Sequence, residues 1–442
     1  MRFYKQLYFT NRFFLILIGI AAAFVISFFL SPLFLFVKIL FFAFAAALAW
    51  DLVFLFALKH PIKIQRIYPE KLSNGDFNEF KIILKSFYPQ RVHARVLEEL
   101  PVQLQIRDFN HAVHLSSNME KVIEYQIRPT KRGVYEFGNC RILISYLKLI
   151  ERRISTTNRI EIPCYPSFIQ LKKYMLMATT NRLNELGVKR IRRIGSTLEF
   201  ESVKEYTRGD EYRFINWKAT AKTRKMMVNQ YEDEKSQPIY SFIDIGRSMR
   251  MPFEELTLLD YAINATLVLS NVSILKQDKA GMLTFSKKVG NHIVADKRNH
   301  QMHLISEALY RVTTQFQESD FGLIYSYAKK QISQRALIFL YTNFETLDAL
   351  NRQMPYLKLL NKSHIVVTVV FKNTELDHLA HQKANKSIEI YNQIIAEKFI
   401  YEKQLIIQEL QAQGIQTIFT EPQNLTVNSI NKYLEIKARG LL

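Results

Sequence analysis

Asp244 opens the most chemically suggestive stretch of the chain. It follows an apolar run at residues 239–243 and precedes Ile245-Gly246-Arg247-Ser248-Met249, so a carboxylate and a hydroxyl sit just past a strand. A hard cation such as Mg²⁺ takes oxygen ligands in octahedral geometry, and a carboxylate with hydroxyls at alternate positions presents several oxygens from one side. A second grouping lies in residues 199–222, EFESVKEYTRGDEYRFINWKATAK. There Gly209 allows a turn and Asp210 can cap the segment after it. Arg213 stands three residues on, within reach of Asp210. Trp217, flanked by Asn216 and Lys218, is expected to be an apolar anchor. The five residues Asp210, Arg213, Asn216, Trp217 and Lys218 form either a binding face or a clasp, and an Asp–Arg pair beside a buried Trp commonly does only the latter.

Enzyme chemistry finds little elsewhere. The chain has no G-x-x-x-x-G-K-[ST] phosphate loop, G-x-S-x-G elbow or H-E-x-x-H motif. His300 and His303, and likewise His378 and His381, are spaced for one helix face without an adjacent glutamate in the metalloprotease arrangement, which reads as solvated surface. His111 and His114 read as surface histidines in a loop. Two cysteines, Cys140 and Cys164, exclude a disulfide scaffold and any multi-cysteine metal site, and read as buried structural thiols.

The elements that carry Asp244 alternate between strand and helix. From Pro238 the pattern predicts strands at 239–243, 280–285, 336–341, 365–371 and 415–419, with helices at 256–275, 302–312, 347–360 and 427–436 and a long helical stretch ending at Gly414. Apolar, β-branched strands with helical crossovers imply a parallel sheet covered on both faces. Ligands in such sheets bind where the carboxyl ends of the strands meet their loops. The first loop resembles the metal-ion-dependent adhesion site of von Willebrand factor A domains, of the form D-x-S-x-S. Asp244 and Ser248 match, and Gly246 replaces the middle hydroxyl. The resemblance puts the later hydroxyl ligand near Ser319 or Asp320, with Thr313 and Thr314 as rivals. It puts Asn343, after Thr342, where that family has an aspartate. The implied ligand set is Asp244, Ser248, Ser319 and Asn343. Such a loop either keeps its shape without metal or holds Mg²⁺ weakly, completed by a partner.

Upstream the pattern changes. Residues 80–86, 91–97, 122–128, 141–145 and 160–165 are rich in β-branched or aromatic side chains and separated by turn signals, which predicts an antiparallel β-sandwich over 59–166. Residues 167–237 are expected to link it to the α/β domain of 238–442. Before all of these come two apolar runs, 13–30 and 33–58, parted by Ser31-Pro32. Each reaches the roughly 20 residues that cross a bilayer, so residues 1–58 are expected to form a transmembrane helical hairpin rather than a signal peptide. Arg2, Lys5 and Arg12 precede it, Lys59, Lys63 and Arg66 follow it, and the turn has no charge. That asymmetry predicts both ends in the cytoplasm. Lys38 can snorkel outward, and Asp51 sits near the inner end in a structural role.

The formal net charge is +20, from 60 basic against 40 acidic side chains. Domains beside an anionic leaflet gain from a basic surface without binding DNA. No zinc-finger spacing or RNA-binding aromatic signature occurs, so nucleic acid is not an expected partner. The pairs Lys189-Arg190 and Arg192-Arg193 read as a membrane-near or partner-facing surface.

These features together resemble the bacterial family called domain of unknown function 58. Its P-x-x-R-G-x-Y/F turn is matched from Pro129 through Arg132, Gly133 and Tyr135. Its Y-x-x-G-D-x-x-R-x-I-N-W signature is matched by Tyr206, Gly209, Asp210, Arg213, Ile215, Asn216 and Trp217, with Lys204 where an arginine is usual. The tail from Asn431 to Gly440 is also similar. The resemblance implies a von Willebrand A-like domain and a partner, a MoxR-type AAA+ ATPase, and it admits other von Willebrand A-type membrane proteins. The expected protein is a non-enzymatic adaptor in a bacterial inner membrane, acting in protein assembly, maturation or envelope stress. The alternative is a metal-dependent hydrolase at the cell envelope using Asp244.

Overall fold

A computed structural model of the chain describes residues 6–441 except 157–158, 168, 170–197, 208–209, 211, 234–235, 255, 299 and 383–385. The basic pairs at 189–193 and Gly209 of the signature lie outside the described residues. The chain divides into two units, residues 1–165 and 166–442.

The first unit begins with strand β1 (Leu7–Phe9) and helices α1 (Asn11–Phe29) and α2 (Ser31–Phe56). Both helices are long and apolar enough to cross a membrane. Ten strands follow: β2 (Ile62–Ile67), β3 (Leu72–Ser73), β4 (Asn78–Ser86), β5 (Val92–Glu98), β6 (Asn110–Leu115), β7 (Glu120–Ile127), β8 (Gly133–Phe137), β9 (Cys140–Ser145), β10 (Ile150–Ser155) and β11 (Ile160–Tyr165). They form an antiparallel sheet β1-β10-β9-β5-β6, an antiparallel sheet β2-β4-β7, and a small sheet β3-β11-β8 whose β3–β11 pair is parallel. The two larger sheets share one core, with Ile62, Ile82 and Leu84 of one against Val96, Ile142 and Ile144 of the other. His111 and His114 stand on strand β6 rather than in a loop, because Asn110–Leu115 pairs along the length of β5. The P-x-x-R-G turn has a local cause. Gly133 takes φ +134°, a region that glycine tolerates, and the buried Tyr135 hydroxyl donates to the Lys131 carbonyl at 2.7 Å.

The apolar hairpin is fastened to this unit by polar groups. Asp51, fully buried on α2, accepts the backbone N–H of Leu147 at 3.2 Å and of Ile150 at 3.3 Å, bracing the β9–β10 turn. Arg152 on β10 donates to the Leu55 and Leu58 carbonyls at 2.6 and 2.8 Å, so a cation answers the open carbonyls at the end of α2. Tyr88 donates to Leu55 O at 2.8 Å as well.

The second unit opens with a two-stranded ribbon, β12 (Leu198–Glu205) against β13 (Met227–Asp233), around the short helix α3 (Trp217–Thr223). Its main body is strand β14 (Pro238–Asp244), a small β15–β16 ribbon (Pro252–Phe253, Leu256–Thr257), helix α4 (Leu258–Leu275), β17 (Lys279–Phe285) and β18 (Val289–Asp296). Then come α5 (Gln301–Tyr310), α6 (Phe321–Gln331), β19 (Leu337–Tyr341), α7 (Leu347–Ser363), β20 (Ile365–Phe371), α8 (Thr374–His381), α9 (Ser387–Ala412), β21 (Gln416–Thr420) and α10 (Leu425–Ala438). The sheet order is β18-β17-β14-β19-β20-β21, parallel except for the antiparallel edge β18. Each face has its own core, one built on α4 and α10 and the other on α6, α7 and α9. Helix α4 is apolar enough to span a bilayer, yet it is buried on nearly every side in this core. Successive crossovers run one way from β14 to β17 and the other way from β19 to β21, so the strand order switches between β14 and β19. A crevice opens at the carboxyl ends of strands at such a switch.

Candidate functional site

Asp244 ends β14 and Thr342 follows β19, so the two meet at the switch. Asp244 is only 2% exposed. Its Oδ1 accepts the Gly246 N–H at 2.7 Å and the Ser319 hydroxyl, and its Oδ2 accepts the Thr342 hydroxyl at 2.7 Å. All three donors are neutral. Burial therefore pushes the carboxyl's pKa above its ordinary value, against the three hydrogen bonds that pull it down.

Of the four residues weighed for the later hydroxyl, Ser319 makes the contact with Asp244. Asp320 does different work, accepting the Leu323 N–H at 3.0 Å and capping α6. A Cβ built on Gly246 would collide with Ser319 Oγ and crowd Asp244 Oδ1. Glycine stands there for room, and Ser319 supplies the hydroxyl that a serine at 246 would have brought. Asn343 turns away from this group. Its Oδ1 accepts the Lys403 ammonium at 2.9 Å, and its Nδ2 donates to the Ser248 carbonyl at 3.4 Å. The structure thus brings Asp244 and Ser319 together, adds Thr342, and ties Asn343 to Ser248 and Lys403.

Lys403 reaches in from the middle of α9 and also donates to the Phe344 carbonyl. Burial lowers its pKa to about 8. It lines a cavity of about 760 Å³ that includes Arg247, Ser248, Asn343, Phe399 and Phe419. Sequence reasoning missed Lys403 and Thr342. Thr342 carried a signal, as the first hydroxyl after a buried strand. Lys403 carried none, because its neighbours on α9 are those of a solvated helix.

The donor set meets part of what a hard cation needs. Asp244, Ser319 and Thr342 offer three oxygens around one carboxylate, whereas Mg²⁺ takes six oxygens and usually one or two carboxylates. The oxygen of Asn343 is engaged by an ammonium. Among the described residues no group of three or more His, Cys, Asp or Glu is placed to hold a metal.

The second grouping is arranged differently from expectation. Asp210 accepts the Thr207 N–H and hydroxyl, each at 2.9 Å, and Lys204 Nζ at 2.9 Å. Those bonds, the Thr207 N–H first, lower its carboxyl to about 2. The Arg213 guanidinium lies 4.8 Å from the centre of the Phe214 ring. Asn216 caps α3 by accepting the Ala219 N–H at 3.0 Å, and it donates to Asn229 at 2.8 Å. Trp217 is 69% exposed, so the buried-tryptophan clasp does not form. At the first turn of a seven-residue helix its indole faces outward, as does the neighbouring Lys218. His300, just before α5, His303 on it, and His378 and His381 on α8 are exposed, and both cysteines are buried free thiols. Burial, with Glu98 nearby, raises the Cys140 thiol to about 12.

The family model described as "Protein of unknown function DUF58" matches residues 202–379 of the chain. The match spans the signature, the Asp244 loop and the sheet as far as α8. Among solved structures the chain is similar to the conserved hypothetical protein BatB from Bacteroides thetaiotaomicron, at 13% identity over 46% of this chain and 98% of that one, with a TM-score of 0.32. It is also similar to the CARDB domain of PF1109 from Pyrococcus furiosus, at 13% identity over 24% of this chain and 94% of that one, TM-score 0.17. A PapD-like domain of human CEP192 matches at 14% identity over 24% of this chain and 87% of that one, TM-score 0.19. No curated protein matches the chain.

Proposed function

We propose that this protein is a non-enzymatic, membrane-tethered binding module whose contact face is the loop cluster at the carboxyl end of the β14–β19 switch. The observation that carries this reading is Asp244, a buried carboxylate surrounded by neutral donors at the position where open α/β sheets take ligands. Its three hydrogen-bond donors are neutral, so a cation entering the loop cluster would meet a carboxylate whose charge they do not offset. Asp244, Ser319 and Thr342 would hold Mg²⁺, and a partner's acidic side chain would complete its shell in the manner of a von Willebrand A-like domain. The partner in this reading is a MoxR-type AAA+ ATPase, as the resemblance of the Tyr206–Trp217 signature implies. The basic residues flanking the apolar helices support an inner-membrane location with the soluble units in the cytoplasm.

The test is capture of the detergent-solubilised protein from its own cell lysate, with Mg²⁺ or EDTA and under several nucleotide conditions, followed by mass spectrometry. An AAA+ ATPase is expected with Mg²⁺ and is expected to be lost with EDTA and with Asp244→Asn, while thermal unfolding shows the variant folded. If no AAA+ ATPase is recovered under any nucleotide condition, the partner is wrong. If recovery survives both treatments, the contact face lies elsewhere.

A further inference from the structure

A second cavity, of about 550 Å³, lies at the start of α1, and Phe9, Arg12, His93, His114 and Lys148 line it. Its place comes from how the first unit is fastened together. Thr10 caps α1 and donates its hydroxyl to the carbonyls of Lys148 at 2.6 Å and Leu149 at 3.0 Å. Asp51 holds the same turn from α2. Lys148 itself adopts a left-handed conformation, φ 62°. A cation is thereby fixed beside the first turn of an apolar helix, the depth at which lipid headgroups lie.

The charges around the cavity are unbalanced. The His93 and His114 rings are 4.1 Å apart across strands β5 and β6. Burial first, then Lys148, His114, Arg91 and Arg12, all lower the His93 pKa. The carboxylate on the wall, Glu151, is already engaged by Arg95, which donates to both of its oxygens at 2.7 Å. Phe9 lines the cavity at its α1 end, and an apolar, aromatic surface runs on from it outside the cavity. Phe9 packs on Phe13 at 4.5 Å between ring centres, Phe13 on Phe14 at 5.2 Å, and the exposed Phe14, Leu17 and Ile18 continue along α1.

We propose that this cavity is a headgroup site for an anionic glycerophospholipid, with Arg12, Lys148 and the His93–His114 pair around its phosphate and its acyl chains along the exposed face of α1. A phosphate ester supplies the missing negative charge, and the acyl chains match the exposed apolar face of α1 next to the cavity. Free phosphate shares only the first of these features. Basic pockets beside membrane helices recognise lipid headgroups through such a combination.

Native mass spectrometry of the full chain in detergent, titrated with phosphatidylglycerol, phosphatidylcholine or inorganic phosphate, tests the assignment. Wild type is expected to retain phosphatidylglycerol at least tenfold better than phosphatidylcholine. Each basic group near an anionic lipid surface is worth about a fivefold gain, so Arg12→Gln with Lys148→Asn is expected to weaken phosphatidylglycerol about 25-fold. Asparagine suits the left-handed position of Lys148. Lys121→Gln with Lys131→Gln removes the same charge away from the cavity and is expected to change retention less than twofold. Lys148→Asn alone, with about a fivefold loss, serves if the double variant fails to fold. Equal retention of the two lipids by wild type would overturn the proposal, as would equal losses in the cavity and control variants. So would displacement of phosphatidylglycerol by millimolar inorganic phosphate, which would make this a free-anion site.

Discussion

Lys403→Met isolates the most unusual charge in the second unit. The ammonium donates to two neutral oxygens, Asn343 Oδ1 at 2.9 Å and the Phe344 carbonyl. Glu345, whose charge favours the protonated form, sits at the exposed rim. Burial brings the group's pKa from 10.5 to about 8. Below pH 8 both folded and unfolded chains carry the proton, and the folded state bears the full cost of burying it. Between about 8 and 10.5 the folded chain has released a proton that the unfolded chain still binds, so stability rises with pH across that window. The whole gap corresponds to about 3 kcal/mol. Between pH 7.5 and 9.5, allowing for the water that still reaches the side chain, about 1–2 kcal/mol is recovered. For a unit of this size that is a rise of about 2–6 °C in Tm. Methionine matches the length of lysine and has no proton to release, so this part of the rise disappears in the variant. At pH 7.5 the variant should lie within about 1 kcal/mol of wild type, because relief of the buried charge is offset by two unpaired oxygens. Far-UV circular dichroism melts of the detergent-solubilised protein at the two pH values measure the effect. Other lysines and tyrosines cancel in the difference between variant and wild type. Parallel pH responses of the two proteins would refute the claim that Lys403 is buried as a charge.

Asp51→Leu removes the acceptor for two buried N–H groups and is expected to cost about 2–4 kcal/mol in the first unit. Asp51→Asn keeps one acceptor and should restore about half, so an unchanged melt for Asp51→Leu would show that the turn is not held from α2. A reporter that works only outside the cytoplasm, fused after Leu442, is expected to be silent, and high activity would reverse the orientation.

The sequence was most readable where one-dimensional pattern and burial coincide. Strands such as Leu337–Tyr341 and Ile365–Phe371 are buried at every position, so an unbroken apolar run announces them. The two N-terminal helices are equally plain. Strand β18 was missed because it is an edge, half-exposed and carrying Asn291 and His292 amid the apolar residues. Helix α6 was missed because it is short, opens on Phe321-Gly322, and depends for its start on a cap at Asp320. Trp217 misled because a large indole usually signals a core. In this chain it heads a helix too short to bury it.

The Asp244 site was half legible for a related reason. A carboxylate closing a buried strand is visible in sequence, and so is the Ser248 hydroxyl four residues after it. The partners that decide its chemistry come from loops 75 and 98 residues away, Ser319 and Thr342, and only the strand order makes them neighbours. The same order places Lys403 on Asn343, 60 residues apart. That contact bears on affinity, because an ammonium on one expected ligand repels a second cation while a single carboxylate attracts it. A cation held by Asp244 alone would therefore exchange readily. An incoming acidic side chain would both supply the missing charge and draw the ammonium off Asn343, so tight binding would require partner and metal together. Under the proposed function, that dependence fits a regulated contact better than a permanent metal centre, and it predicts that loss of either Asp244 or Mg²⁺ would release a partner completely rather than by degrees.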